Sequence, residues 1–115
     1  MSHPTVTINE VSQGIQDNTT NAPAKKVLEG MLNDFMDLQY GKETPYTTGK
    51  QVVPSGASIG DVDDAIANDS TDKKFKAVFE TISEKEKSGD RTPQKNDGSW
   101  DPKLTPILVL IRPNN

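Results

Sequence analysis

The chain has 115 residues, a formal net charge of -4, a hydrophobic share of 31% and no cysteine. This length is typical of one domain, so we expect residues 1–115 to form a single domain with a small core. The absence of cysteine excludes disulfides, zinc fingers and thiol catalysis. No run approaches the ~20 apolar residues of a membrane span, and no basic region followed by an apolar stretch marks a signal peptide. We therefore expect no membrane contact and a cytoplasmic or virion location.

The charge is unevenly distributed along the chain. Residues 1–72 contain four Lys or Arg and eleven Asp or Glu, whereas residues 73–115 contain nine and six. Such a modest polarity suits the orientation of a protein partner better than binding to nucleic acid. The lysines at 73, 74 and 76 do cluster, but the chain as a whole is acidic, and we do not expect nucleic acid as a partner.

The first segment predicts a strand followed by a loop. Apolar Val6 and Ile8 alternate with polar neighbours, which is typical of a half-buried strand over residues 5–11. Residues 12–21 are polar and predict a loop.

A long amphipathic helix is predicted over residues 22–40. Asn21 can cap it, Pro23 suits its first turn, and Gly41 can end it in a left-handed conformation. Gly30 lies inside this helix, where it costs up to about 1 kcal/mol relative to Ala and indicates a close approach by another element. The predicted buried stripe is Ala24, Val27, Leu28, Met31, Leu32, Phe35, Met36 and Leu38.

A long connection leads to two further helices. Within it, residues 51–53 fit a short edge strand that Pro54 ends. Ser58 and Asp61 have capping-box spacing and predict a short helix over residues 61–68. A second long helix is predicted over residues 71–88, capped by Ser70 or Thr71 and ended by Gly89. Its buried stripe is Phe75, Val78, Phe79 and Ile82.

The most unusual feature is the apolar run from Ile107 to Ile111, between Pro106 and Pro113. A strand that is apolar on both faces needs cover on both faces. We predict it as the central strand of a small sheet, next to the strand at 5–11. It either lies between the two long helices or presents its far side to another chain. The expected fold class is α+β, with two amphipathic helices and one short helix packed on a sheet that includes the N- and C-terminal strands.

The polar residues do not form a recognisable catalytic or metal motif. His3 is the only histidine and cannot build a metal site or a catalytic triad alone. Thr48-Gly49-Lys50 lacks the rest of a phosphate-binding loop. The acidic cluster Asp61, Asp63 and Asp64 fails the EF-hand pattern, and we expect these carboxylates to favour the positive ends of helices instead. We expect no enzyme activity, no cofactor and no small-molecule substrate.

Binding to protein is the function that the sequence favours. Aromatic and aliphatic residues outside the predicted core stripes are candidate interface residues; they are Tyr40, Tyr46, Trp100, Leu108 and Leu110. The leading hypothesis is a non-enzymatic structural or accessory subunit of a larger assembly, such as a virion or phage protein, with self-association or a protein partner. The alternative is a small acidic inhibitor or immunity-type protein that binds one protein partner.

Overall fold

The computed structural model describes residues 4–42, 44, 51–89 and 111–112. These residues form strand β1 (Val6–Thr7), helix α1 (Ile8–Gln16), helix α2 (Ala22–Gln39), helix α3 (Ile59–Ala67), helix α4 (Lys73–Ser88) and strand β2 (Ile111–Arg112). The two strands pair in parallel, with Val6 opposite Ile111 and Thr7 opposite Arg112.

The predicted α+β fold is wrong, because most of the described residues are helical. The pairing of β1 with β2 joins only two residues to two residues, which is too short to form the sheet on which the two long helices were expected to pack. Most of the strand predicted at 5–11, and the first half of the loop predicted after it, belong to α1.

A capping box is the local reason why α1 replaces the predicted strand. The Thr7 hydroxyl accepts a hydrogen bond from the Glu10 N–H at 3.1 Å, and the Glu10 carboxylate accepts one from the Thr7 N–H at 2.8 Å. This reciprocal pair satisfies two backbone donors at the start of a helix. Beyond it, Val11 is buried and Ile8 and Ile15 pack against the core, with the spacing of a helical face.

The two long helices are confirmed with small changes at their ends. Asn21 caps α2, since its side chain accepts the Ala24 N–H at 3.1 Å. Asp72, rather than Ser70 or Thr71, caps α4 by accepting the Lys74 N–H at 2.8 Å. Gly41 and Gly89 follow the helices with φ values of 76° and 78°, the left-handed conformation that was expected. The capping box of Ser58 and Asp61 is also present at the start of α3.

The helices pack in chain order around one core. Helix α1 packs on α2, α2 on α3, and α3 on α4, so the long helices lie mainly against short ones rather than against each other. Residues from all four helices, from β1 and from the segment before α3 form one buried apolar cluster. Met36 was predicted to belong to the buried stripe of α2 but is exposed. The side chain of Leu38 lies outside the described residues.

The segment from Gln51 to Ser55, which we call the strap, crosses between α2 and α4. Val52 is fully buried and Val53 is 5% exposed, so the strap contributes to the core. The predicted edge strand at 51–53 is wrong, because carboxylates rather than another strand accept its N–H groups. Glu86 on α4 accepts from Val52 at 3.2 Å and from Val53 at 3.4 Å, and Asp34 on α2 accepts from Ser55 at 2.9 Å.

Of the terminal apolar run, only Ile111 lies within the described residues, as part of β2. Residues 107–110 and the two flanking prolines lie outside them. The two possible covers of the run, by the helices of this chain or by another chain, therefore stay predictions.

Among the helices of the described residues, none combines the length and the apolar character that crossing a membrane requires.

Gly30 confirms the predicted close approach. A Cβ atom at this position would lie 2.5 Å from the Ser55 carbonyl oxygen and 2.8 Å from Pro54 Cβ. We expect Gly30→Ala to lower the free energy of unfolding by roughly 1–3 kcal/mol, since the clash with the strap exceeds the gain in helix propensity. Urea unfolding measures the change.

Gly60→Ala is the matched control for this substitution. Gly60 also lies in a helix, but a Cβ there would meet only the Ser58 hydroxyl at an ordinary 3.5 Å. We expect this variant to be as stable as the wild type or more stable. Equal effects of the two substitutions would contradict the close approach of the strap to α2.

Candidate interaction surfaces

The C-terminal end of α2 presents two large apolar side chains to solvent. Tyr40 is 76% exposed and Met36 is 45% exposed. They lie four residues apart, and such residues are neighbours on one helix face. We call this pair the α2 end patch. Among the described residues, they are the exposed large apolar side chains.

The local backbone fixes the position of the α2 end patch. The Tyr40 N–H donates to the Met36 carbonyl at 3.1 Å, which extends the helical pattern to Tyr40. Gly41 then turns left-handed, and the Lys42 N–H donates back to the Asp37 carbonyl at 2.8 Å. This six-residue closure is the Schellman motif, which satisfies carbonyl groups at a helix end. The exposed ring therefore projects from an ordered backbone.

Of the five predicted interface residues, the structure describes one. Tyr40 is exposed, as an interface residue of a free subunit needs to be. Tyr46, Trp100, Leu108 and Leu110 lie outside the described residues, as do His3 and Thr48-Gly49-Lys50.

A second surface feature is a polar groove of about 400 Å³ beside the starts of α2 and α4. Five segments form it: α1, the turn that follows α1, the first turn of α2, the turn before α4, and the first residues of α4. The residues that line the polar groove are Glu10, Gln13, Gly14, Asp17, Thr19, Thr20, Asn21, Ala24, Ser70, Thr71, Asp72, Lys74 and Phe75.

Hydrogen bonds around Asn21 hold the walls of the polar groove together. The Asn21 amide donates to the Thr71 hydroxyl at 2.9 Å and to the Ser70 hydroxyl at 3.3 Å, while its oxygen caps α2. Buried Thr71 in turn donates to the Ala65 carbonyl at 2.6 Å, at the end of α3. One side chain thus connects the start of α2 to the turn between α3 and α4.

Three carboxylates and one ammonium group give the polar groove a negative balance. Lys74 forms an ion pair with Glu10, and this hydrogen bond holds the pKa of Glu10 below its ordinary value, although partial burial acts against it. Hydrogen bonds from the Thr19 N–H and hydroxyl lower the pKa of Asp17. Asp72 caps α4. The groove is therefore better suited to a cationic group than to an anionic one.

The predicted acidic cluster is divided among structural contacts. Asp61 belongs to the α3 capping box, and the hydrogen bond from the Ser58 N–H lowers its pKa. Asp63 accepts from Lys87 and from Ser83, and the Lys87 ammonium lowers its pKa most. Asp64 is exposed. No group of three or more potential ligands that could hold a metal ion lies within the described part of the chain.

Sequence reasoning missed Asp34, which was placed on the polar face of α2. It is 1% exposed, and its Oδ1 atom has no hydrogen-bond partner among the described residues. Burial raises the pKa of Asp34, although hydrogen bonds from Ser55 and Thr44 act in the opposite direction. The charged polar face of an amphipathic helix carries no signal that one of its acids will be covered by a distant segment.

Comparisons with known proteins find no match to this chain among protein-family models, curated proteins or solved structures.

The ion pair of Glu10 with Lys74 predicts a pH-dependent contribution to stability. Because the folded state lowers the pKa of Glu10 from 4.5, the contribution is complete above that value and is lost as pH falls through the folded-state pKa. We expect Glu10→Gln to lower the free energy of unfolding at neutral pH by up to about 1 kcal/mol, since both side chains are partly exposed. Gln keeps the capping box. Urea unfolding at several pH values measures the difference, which should vanish in acid.

Glu29→Gln, an equal charge change at an exposed position of α2, is the control. A loss of stability in Glu10→Gln that does not change with pH would contradict the role of the ion pair.

Proposed function

We propose that this chain is a non-enzymatic structural or accessory subunit of a larger protein assembly, of the kind found in virions and phages. The observation that carries the proposal is the α2 end patch, where Tyr40 and Met36 stand exposed on an ordered helix end. Aromatic residues and methionine are enriched at protein interfaces, and a few such residues contribute most of the binding energy.

The ordered backbone beneath the α2 end patch supports this proposal. Association is weakened when loops or side chains lose freedom on binding. The Schellman closure at Gly41 and Lys42 already restrains the backbone of Tyr40 in the free chain. Less ordering is then needed when a partner covers the ring.

The α2 end patch is too small to form a stable interface alone. A stable interface buries about 800 Å² on each partner, or roughly 20 residues. We propose that the other candidate residues, Tyr46, Trp100, Leu108 and Leu110, extend the contact. The chain's low hydrophobic share also favours association, because a small core leaves a thin margin of stability that a neighbouring subunit can supplement.

The double substitution Met36→Ser with Tyr40→Ser tests the proposal. We expect the wild-type chain to self-associate at micromolar concentration and the variant to remain monomeric in sedimentation velocity. Both side chains are exposed, so the midpoint of urea unfolding, measured on dilute monomer, should change little.

Asn33→Ser with Gln39→Ser is the matched control, since both positions are exposed on the same helix. A wild-type chain that stays a compact monomer throughout the concentration range would contradict self-assembly. Leu108→Lys and Leu110→Lys are two further variants. If they fold normally but no longer associate, the terminal run belongs to the interface.

The polar groove favours a second function, that of a small acidic inhibitor or immunity-type protein. Its three carboxylates against one ammonium group would attract a basic side chain of a protein partner. Phe75 lines the same groove, and a guanidinium group binds well to an aromatic ring. In this case the acidic part of the chain, residues 1–72, would guide the partner to the groove.

Asp17→Asn with Asp72→Asn tests this second function with little damage to the fold. Asn replaces Asp well both as a helix cap and in the turn that Asp17 forms with Thr19. With an oligo-arginine peptide as the probe, we expect the association rate to fall in the variant and with added salt. Exposed Asp64→Asn controls for net charge. If the association rate falls equally per removed charge in that control, the peptide is attracted to the whole chain. This result would contradict a site in the polar groove.

A further inference from the structure

We propose that the strap, Gln51–Ser55, is a proton-controlled element that docks between α2 and α4 at low pH and is released more readily as pH rises, because its docking buries the Asp34 carboxylate. This inference is independent of the proposed function. It concerns an internal conformational equilibrium and needs no partner.

Carboxylates on both long helices accept N–H groups of the strap. Glu86 Oε1 on α4 accepts the N–H groups of Val52 and Val53 at 3.2 and 3.4 Å. Asp34 Oδ2 on α2 accepts the Ser55 N–H at 2.9 Å. These are charge-assisted contacts between side chains and backbone, so the docked position depends on two ionisable groups.

The two carboxylates differ in how completely the strap covers them. Asp34 is 1% exposed and its Oδ1 atom has no partner within the described residues, whereas Glu86 remains partly exposed. A buried carboxylate with an unpartnered oxygen loses hydration that the hydrogen bonds from Ser55 and Thr44 do not fully replace. The docked strap therefore disfavours the ionised form of Asp34. Protonation of Asp34 removes this penalty and so favours docking.

The charged surroundings of Asp34 reinforce this effect. On its own helix, Asp37 is a second acid that raises the pKa of Asp34. On α4, the nearest strap contact is the acidic Glu86, and residues 51–57 contain no titratable side chain. On α3, Asp61 lies beside Lys26, two turns away from Asp34 along α2. Lys85, next to Glu86 in α4, is a buried cation, and of all these charged groups Asp37 is the one whose charge acts on the pKa of Asp34.

The direction of the pH dependence follows from linkage between docking and protonation. Burial raises the pKa of Asp34 in the docked state above 3.8, its ordinary value, which an undocked and hydrated carboxylate regains. The contribution of Asp34 to docking is therefore most favourable below that ordinary value and weakens as pH rises through the docked-state pKa. If docking raises the pKa of Asp34 by one unit, the equilibrium constant for opening of the strap is about tenfold larger well above this pKa than well below 3.8.

Release of the strap would also affect the core. Val52 and Val53 are buried in the apolar cluster, so opening withdraws both side chains and uncovers the parts of α2 and α4 beneath them. The close approach of Ser55 and Pro54 to Gly30 is lost in the same step. The hydrogen-bonded backbone groups of the strap are therefore direct reporters of the docked state.

Amide hydrogen exchange of the intact chain, followed by NMR, tests the proposal at Val52, Val53 and Ser55. In the wild type, we expect their protection factors, corrected for intrinsic exchange, to fall as pH rises from acid to neutral. In Asp34→Asn the side-chain oxygen can still accept from Ser55, but no charge is buried. Protection in this variant should be independent of pH and several-fold higher than in the wild type at neutral pH.

Two further variants keep the outcome decisive. Asp37→Asn removes a neighbouring charge, so it should raise protection at neutral pH by a smaller factor than Asp34→Asn. Exposed Asp64→Asn carries the same charge change on α3 and should leave the wild-type profile unaltered. The proposal is overturned if protection in the wild type is constant or rises with pH, or if Asp34→Asn retains the wild-type pH profile. The wild-type profile decides the question even if Asp34→Asn fails to fold.

Discussion

The contact of the strap with both long helices is the constraint on which the rest of the structure depends. Helices α2 and α4 pack mainly on the short helices, so the space between their C-terminal halves has to be filled by another segment. Val52 and Val53 fill it from a segment without regular secondary structure. Since the backbone of such a segment cannot satisfy itself, its N–H groups need acceptors from the helices, and Asp34 and Glu86 provide them.

This arrangement explains two features of α2 that otherwise conflict with helix stability. Gly30 has a low helix propensity, yet a side chain at this position would strike the strap. Asp34 is a buried acid whose Oδ1 atom has no hydrogen-bond partner among the described residues, yet its Oδ2 atom accepts the hydrogen bond that anchors Ser55. Gly30 makes room for the strap, and Asp34 accepts a hydrogen bond from it although its carboxylate is buried there. Met36 and Tyr40 follow Asp34 in the same C-terminal part of the helix, but they are exposed whereas Asp34 is buried, so the strap and the α2 end patch occupy different faces of α2.

Local signals in the sequence were informative where a helix satisfied its own requirements. Asn21, the Ser58–Asp61 pair, Gly41 and Gly89 act at the ends of helices through contacts within a few residues. The error at the N-terminus had a local origin too. Alternation at Val6 and Ile8 favoured a strand, but Thr7 and Glu10 form a capping box, whose three-residue spacing is present in the sequence and did not enter the prediction. The α+β assignment expected a full strand at 5–11 beside the terminal run, whereas among the described residues only Val6 and Thr7 pair with Ile111 and Arg112.

The sequence by itself determined the positions of α2, α3 and α4, the burial of Val78, Phe79 and Ile82 in α4 and the need for a close approach at Gly30. These features depend on periodicity, capping and steric size, which act over a few residues. Only the tertiary structure decided that the strap is the element that approaches Gly30, that Asp34 is buried while Met36 is exposed, and that the polar groove forms beside Asn21. Each of these depends on contacts between residues about 20 to 50 positions apart. Such contacts arise from packing, and neighbouring residues in the chain do not encode them.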